Sequence, residues 1–256
     1  MSRPALLYDW PRAAAFGRVV PKRRIYEHSG ANTALKELFV RDVAQIVWSH
    51  KLAEETINLP ATKQVSEIQV FRVITRTLAP DMRILRAMDR AIPYPLIFEL
   101  ENEGRIKTVA AYKRPAETGG MHWVVSDYFE GDWQPRDAPR MPLPVALNLE
   151  VLYERLLIPL LDAQVAQLAA DVEVAVPGAL SALQPRQTTP LNKRLQHVQA
   201  IRAQAREVAR LKKQLARTRQ FNRRVEVNAR LRGARQQLER MLAQYAGNAG
   251  GEEQPT

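Results

Sequence analysis

Glu67 and Gln69 stand two apart in an otherwise apolar run, Val65-Ser66-Glu67-Ile68-Gln69-Val70-Phe71. In an extended chain alternate residues share a face, so Glu67, Gln69, Phe71 and Val73 line up together. An acid followed two positions on by a polar residue is a degenerate form of the D/E-x-K spacing, whose chemistry is magnesium-dependent phosphodiester hydrolysis: paired carboxylates hold the ion and a lysine orients the water. The second acid would be Glu54 or Glu55, and the lysine Lys51 or Lys113. No aspartate precedes them in a neighbouring strand-like run. The plainer reading is a strand-end glutamate neutralised by a nearby Arg or Lys. Magnesium is implied under the nuclease reading alone, and no other cofactor is expected.

A different chemistry is concentrated near the carboxyl end. Residues 186–240 hold sixteen Lys or Arg against three Glu, while the whole chain carries +11, so the remainder is close to neutral. The nucleic-acid candidates are Arg202, Arg206, Arg210, Lys212, Lys213, Arg217, Arg219, Arg223, Arg224 and Arg230. Guanidinium forks fit phosphate oxygens, and neutralising phosphates releases counterions, so this pattern points to DNA bound through its backbone. The plainer reading is a charged face on a helix packed against the body or a partner helix. No zinc finger, homeodomain or other base-reading module accompanies it, so sequence-specific readout is not indicated.

Other chemistries are excluded or unsupported. There is no cysteine, hence no disulfide, thiolate zinc site or thiol nucleophile, and the composition fits a reducing cytoplasm. His28, His50, His122 and His197 are scattered without metal-ligand spacing. No G-x-S-x-G elbow, phosphate-binding loop or G-x-G-x-x-G is present. The amino terminus is broken by Pro4, Asp9, Pro11 and Arg12 before an apolar run develops, and reads as neither signal peptide nor anchor. No apolar stretch approaches the roughly 20 residues of a membrane helix.

The elements that must position these residues follow from periodicity. Helical spacing marks residues 31–43 and 81–91, and Pro80 suits a helix start. Strand patterns cover 46–52, 65–74, 96–100, 106–112 and 123–129, with a hairpin loop at 101–104. A helix over about 147–170 contains Pro159, which should kink or interrupt it. The result is an α/β (α+β) domain with a mixed sheet over 1–172, then a Pro/Gly-containing linker over 173–190. A basic helical coiled-coil tail occupies 191–246, and 247–256 is expected to be disordered.

Within the tail, Ile201, Val208, Leu215 and Asn222 recur every seven residues, with Leu211 and Val225 at the following d positions. This is a coiled-coil seam, and Asn222 in it would fix register. A second frame begins with Val227 and runs through Leu231, Leu238 and Tyr245, so the register slips between Val225 and Val227. Such a slip is either a distortion in one rod, open to homodimerisation, or a place where two helices fold back near residues 222–227.

Taken together, Pro21-Lys22, Ile46-Val47-Trp48, Glu55-Thr56-Ile57-Asn58, Glu67-Ile68-Gln69-Val70-Phe71, Ile92-Pro93-Tyr94-Pro95, Ala111-Tyr112-Lys113 and Gln220-Phe221-Asn222-Arg223-Arg224-Val225-Glu226 resemble the bacterial family of domain of unknown function 4391. The resemblance implies an accessory protein working beside a helicase or DNA methyltransferase in restriction-modification or phage defence. It assigns no catalytic residue.

Overall fold

The computed structural model describes residues 6–116, 123–173 and 190–247. The expected linker and the expected disordered terminus lie almost entirely outside these, as does His122. The chain divides into two compact units, 1–161 and 162–256.

In the first unit a 3-10 turn at Arg12–Ala14 leads into β1 (Ala15–Val19), α1 (Lys22–Ser29), α2 (Thr33–Asp42) and β2 (Val43–Ala53). The short α3 (Glu54–Ile57) and β3 (Glu67–Thr75) follow, then α4 (Arg83–Ala91), β4 (Leu96–Asn102), β5 (Arg105–Pro115), β6 (Trp123–Glu130) and β7 (Gln134–Pro135). The sheet runs β1-β2-β3-β4-β5-β6 with β7 also on β5. Among the described strands only β3 and β4 pair in parallel. A parallel neighbour needs a crossover, and α4 supplies it. The β4–β5 reversal is a two-residue turn, Glu103-Gly104, with φ of 44° and 74°. Positive φ at both central residues is what the twist of a tight hairpin requires.

Strand alternation divides the sheet into two faces. Phe71, Val73, Phe98, Leu100 and Val109 meet Ile25 of α1, Phe39 of α2, and Ile84, Leu85 and Met88 of α4 in one buried cluster. Burying each of the large side chains contributes about 2 kcal/mol. On the opposite face, Tyr153 of α5 (Leu149–Glu173) bonds to the β5 backbone at Ala111 and Lys113. The N-terminal stretch is also held there, with the Thr108 hydroxyl donating to the Leu6 carbonyl. Residues 6–19 carry no apolar period that marks an element.

Helix α5 runs through Pro159 without interruption. The carbonyl that its ring leaves without an N–H belongs to Arg155, an exposed residue. The last dozen residues of α5 belong to the second unit, with α6 (Leu191–Arg217) and α7 (Phe221–Gly247). Among the described residues no helix is long and apolar enough to cross a membrane.

Candidate nucleic-acid interface

The tail is an antiparallel hairpin that closes within one chain. Ile201, Val208 and Leu211 of α6 and Val227, Leu231, Leu238 and Leu242 of α7 are buried. The Gln204 amide donates to the Ala234 carbonyl at 2.9 Å, and His197 meets Tyr245 edge-on at 6.0 Å. The chain reverses over 218–220, where Thr218 takes an extended conformation and its hydroxyl bonds back to the Gln214 carbonyl. Within the same unit, Arg194 is almost fully buried and pairs with Asp162 at 2.5 Å.

This geometry corrects the heptad reading. Ile201, Val208 and Leu211 hold the seam, and Leu215 is half-buried near the turn. Asn222 and Val225 are exposed. The frame that included them was extrapolated across a chain reversal, so they start a new helix instead of continuing the old stripe. The reversal itself precedes the 222–227 stretch where the register appeared to slip.

The cations occupy the outside of the hairpin. Arg206, Arg210, Lys212, Lys213, Arg217, Arg219, Arg223, Arg224 and Arg230 are exposed, and Arg202 is half-buried. Among the described residues Arg210 alone of these is in an ion pair, with Glu207 at 2.7 Å. Exposed pairs of this kind contribute little, so the surface keeps most of its positive potential. Two concave surfaces of about 510 and 460 Å³ flank the turn, and Arg223 lines both.

The residues singled out for metal chemistry separate into two places. Glu67, Gln69, Lys51 and Glu55 do meet. The Gln69 amide donates to Glu67 Oε1 at 2.5 Å, and the Lys51 ammonium lies 3.3 Å from Glu67 and 2.6 Å from Glu55. The hydrogen bond to Glu55 raises the Lys51 pKa and lowers that of Glu55. Glu54 turns away to accept from the Ala61 amide at 3.4 Å. One ammonium thus bridges two carboxylates and leaves the trio with a net charge of −1. Among the described residues no group of three or more His, Asp or Glu is arranged to hold a metal.

Lys113 is held elsewhere. Its ammonium is fully buried and donates to the Asp89 and Ile92 carbonyls, each at 2.5 Å, at the C-terminus of α4. Helix ends leave carbonyls without partners and carry partial negative charge, and a cation satisfies both. The Asp89 carboxylate lies 3.7 Å away and also accepts from the Tyr128 hydroxyl. Burial raises the Asp89 pKa to about 6, and burial lowers that of Lys113 to about 8. Lys22 repeats the device at the end of α2, donating to the Phe39 and Val43 carbonyls at 3.1 and 2.5 Å.

The opposite face of the sheet carries a charge cluster that sequence reasoning missed. Glu99 is fully buried, accepting from Trp10 Nε1 at 2.9 Å and Arg140 at 2.7 Å, with Arg72 at 3.6 Å. The available signal was Glu99 and Glu101, two apart in an otherwise apolar strand.

Fold and site define a class: a mixed α/β domain in one chain with a basic helical hairpin. The chain belongs to the family described as Domain of unknown function (DUF4391), whose model matches residues 8–238. No curated protein and no solved structure matches it.

Proposed function

We propose that this protein is a non-catalytic, DNA-associated accessory subunit of a bacterial helicase- or methyltransferase-containing restriction or defence system. The α/β domain docks the partner, and the hairpin contacts DNA phosphates. The observation that carries the reading is the hairpin's exposed cationic surface, in which Arg210 alone of the named cations has a carboxylate partner among the described residues. A packed structural coiled coil mixes both signs of charge on its outer face, whereas a phosphate-tracking surface does not.

The test is an anisotropy titration of duplex DNA against the full chain at several salt concentrations. Engagement of about six phosphates gives a log–log slope near −5, a loss on the order of a thousandfold between 50 and 200 mM salt. Undetectable binding at about 50 mM salt overturns the proposal.

A magnesium-dependent nuclease centred on Glu67 has one observation in its favour, the convergence of Lys51, Glu55, Glu67 and Gln69. Against it stand the absence of a third converging acid among the described residues and the capping role of Lys113.

A further inference from the structure

The hairpin tip displays a side chain that its core does not use. Phe221, the first residue of α7, is 76 % exposed, and Val225 on the same helical face is 53 % exposed. Surrounding them in sequence are Arg217, Arg219, Arg223 and Arg224, all exposed and none in an ion pair among the described residues. Cations alone serve any polyanion. An exposed aromatic plane adds affinity only where it meets a flat or apolar face.

Intact duplex hides its base planes in the stack, whereas an unpaired nucleotide offers one. An apolar pocket on a protein partner could also receive Phe221, but the four arginines favour a polyanion around that pocket. We propose that the hairpin tip binds unpaired nucleotides: Phe221 stacks on a base exposed at a single-stranded tail, gap or fork, while Arg217, Arg219, Arg223 and Arg224 hold the adjoining phosphates. The inference rests on the reading of the hairpin as a DNA-binding surface and narrows it to DNA containing a single-stranded part. Stacking of one base on an aromatic side chain is worth roughly five- to 150-fold in affinity.

The experiment compares the full chain with Phe221→Ala and Phe221→Trp. The probes are a labelled blunt duplex and the same duplex bearing a tail of roughly ten nucleotides, within the site sizes of single-strand binders. The wild type binds the tailed DNA at least about fivefold tighter than the blunt DNA. Phe221→Ala removes that preference and leaves blunt-duplex affinity unchanged, and Phe221→Trp keeps the preference. Three results overturn the proposal. These are equal wild-type affinity for the two DNAs, a preference that survives Phe221→Ala, or a loss in Phe221→Ala that is equal on both probes. If the wild type binds neither DNA, the broader DNA reading fails with it, an outcome distinct from the other three.

Discussion

Replacing Lys113 with Met preserves length and bulk while removing the one ammonium in the buried site beneath α4. Two carbonyls at the end of α4 lose a charged donor, each previously bonded at 2.5 Å. The Asp89 carboxyl, almost fully buried, loses its opposite charge at 3.7 Å. Removing one partner of a buried ion pair costs about 3–5 kcal/mol, most of it from the charge left behind. With a urea m-value of about 2 kcal/mol per molar, the unfolding midpoint falls by about 2 M. Tryptophan fluorescence is the suitable assay, because Trp10, Trp48, Trp123 and Trp133 all lie in the first unit and report on it alone. The double variant Lys113→Met/Asp89→Asn removes both charges and regains more than half of the loss, the Tyr128 hydroxyl still having an amide oxygen to donate to. A midpoint shift below about 0.5 M for the single variant would refute the capping account. So would a double variant as unstable as the single one.

Burial holds the folded Asp89 pKa near 6, above its ordinary 3.8, so its contribution to stability is full below pH 3.8 and lost as pH rises through 6. From pH 7 to 4 the wild type therefore gains on the order of 3 kcal/mol relative to Lys113→Met/Asp89→Asn, and a constant difference between the two denaturation curves defeats this. For the Glu67 cluster, plasmid incubated with Mg²⁺ and wild-type protein or Glu67→Ala shows no difference, and cleavage lost in the variant would reinstate the nuclease.

Most of the fold was legible because its signals are local. Apolar spacing at Leu38, Phe39, Leu85 and Met88 marks the helices, alternation marks β3, and the hairpin loop at 101–104 marks β4 and β5 on either side of it. The pairing of two opposed helices left a trace in the second frame of Val227, Leu231 and Leu238. Its turn was harder to place: Thr218-Arg219-Gln220 contains neither Gly nor Pro, so the reversal comes from two apolar stripes meeting and not from a residue that demands it. Lys113 was misplaced for a similar reason. Its acceptors are backbone carbonyls of Asp89 and Ile92, and a pattern of side chains carries no record of them. Glu99 depends on Trp10 and Arg140, both distant in sequence, so only its own alternation with Phe98 and Leu100 could have hinted at a buried charge.

The hairpin's length has a mechanical consequence. Two 27-residue helices reversed over three residues form a rod about 40 Å long, with Leu191 and Gly247 together at its open end and Phe221 at the other. Rotating such a rod by about 10° about its open end sweeps Phe221 through about 7 Å, close to the rise of two base steps. On the proposed reading of the tip, a slight angular adjustment at the base would shift Phe221 by about two base steps, so the hairpin would act as a lever whose angle sets which nucleotide it addresses.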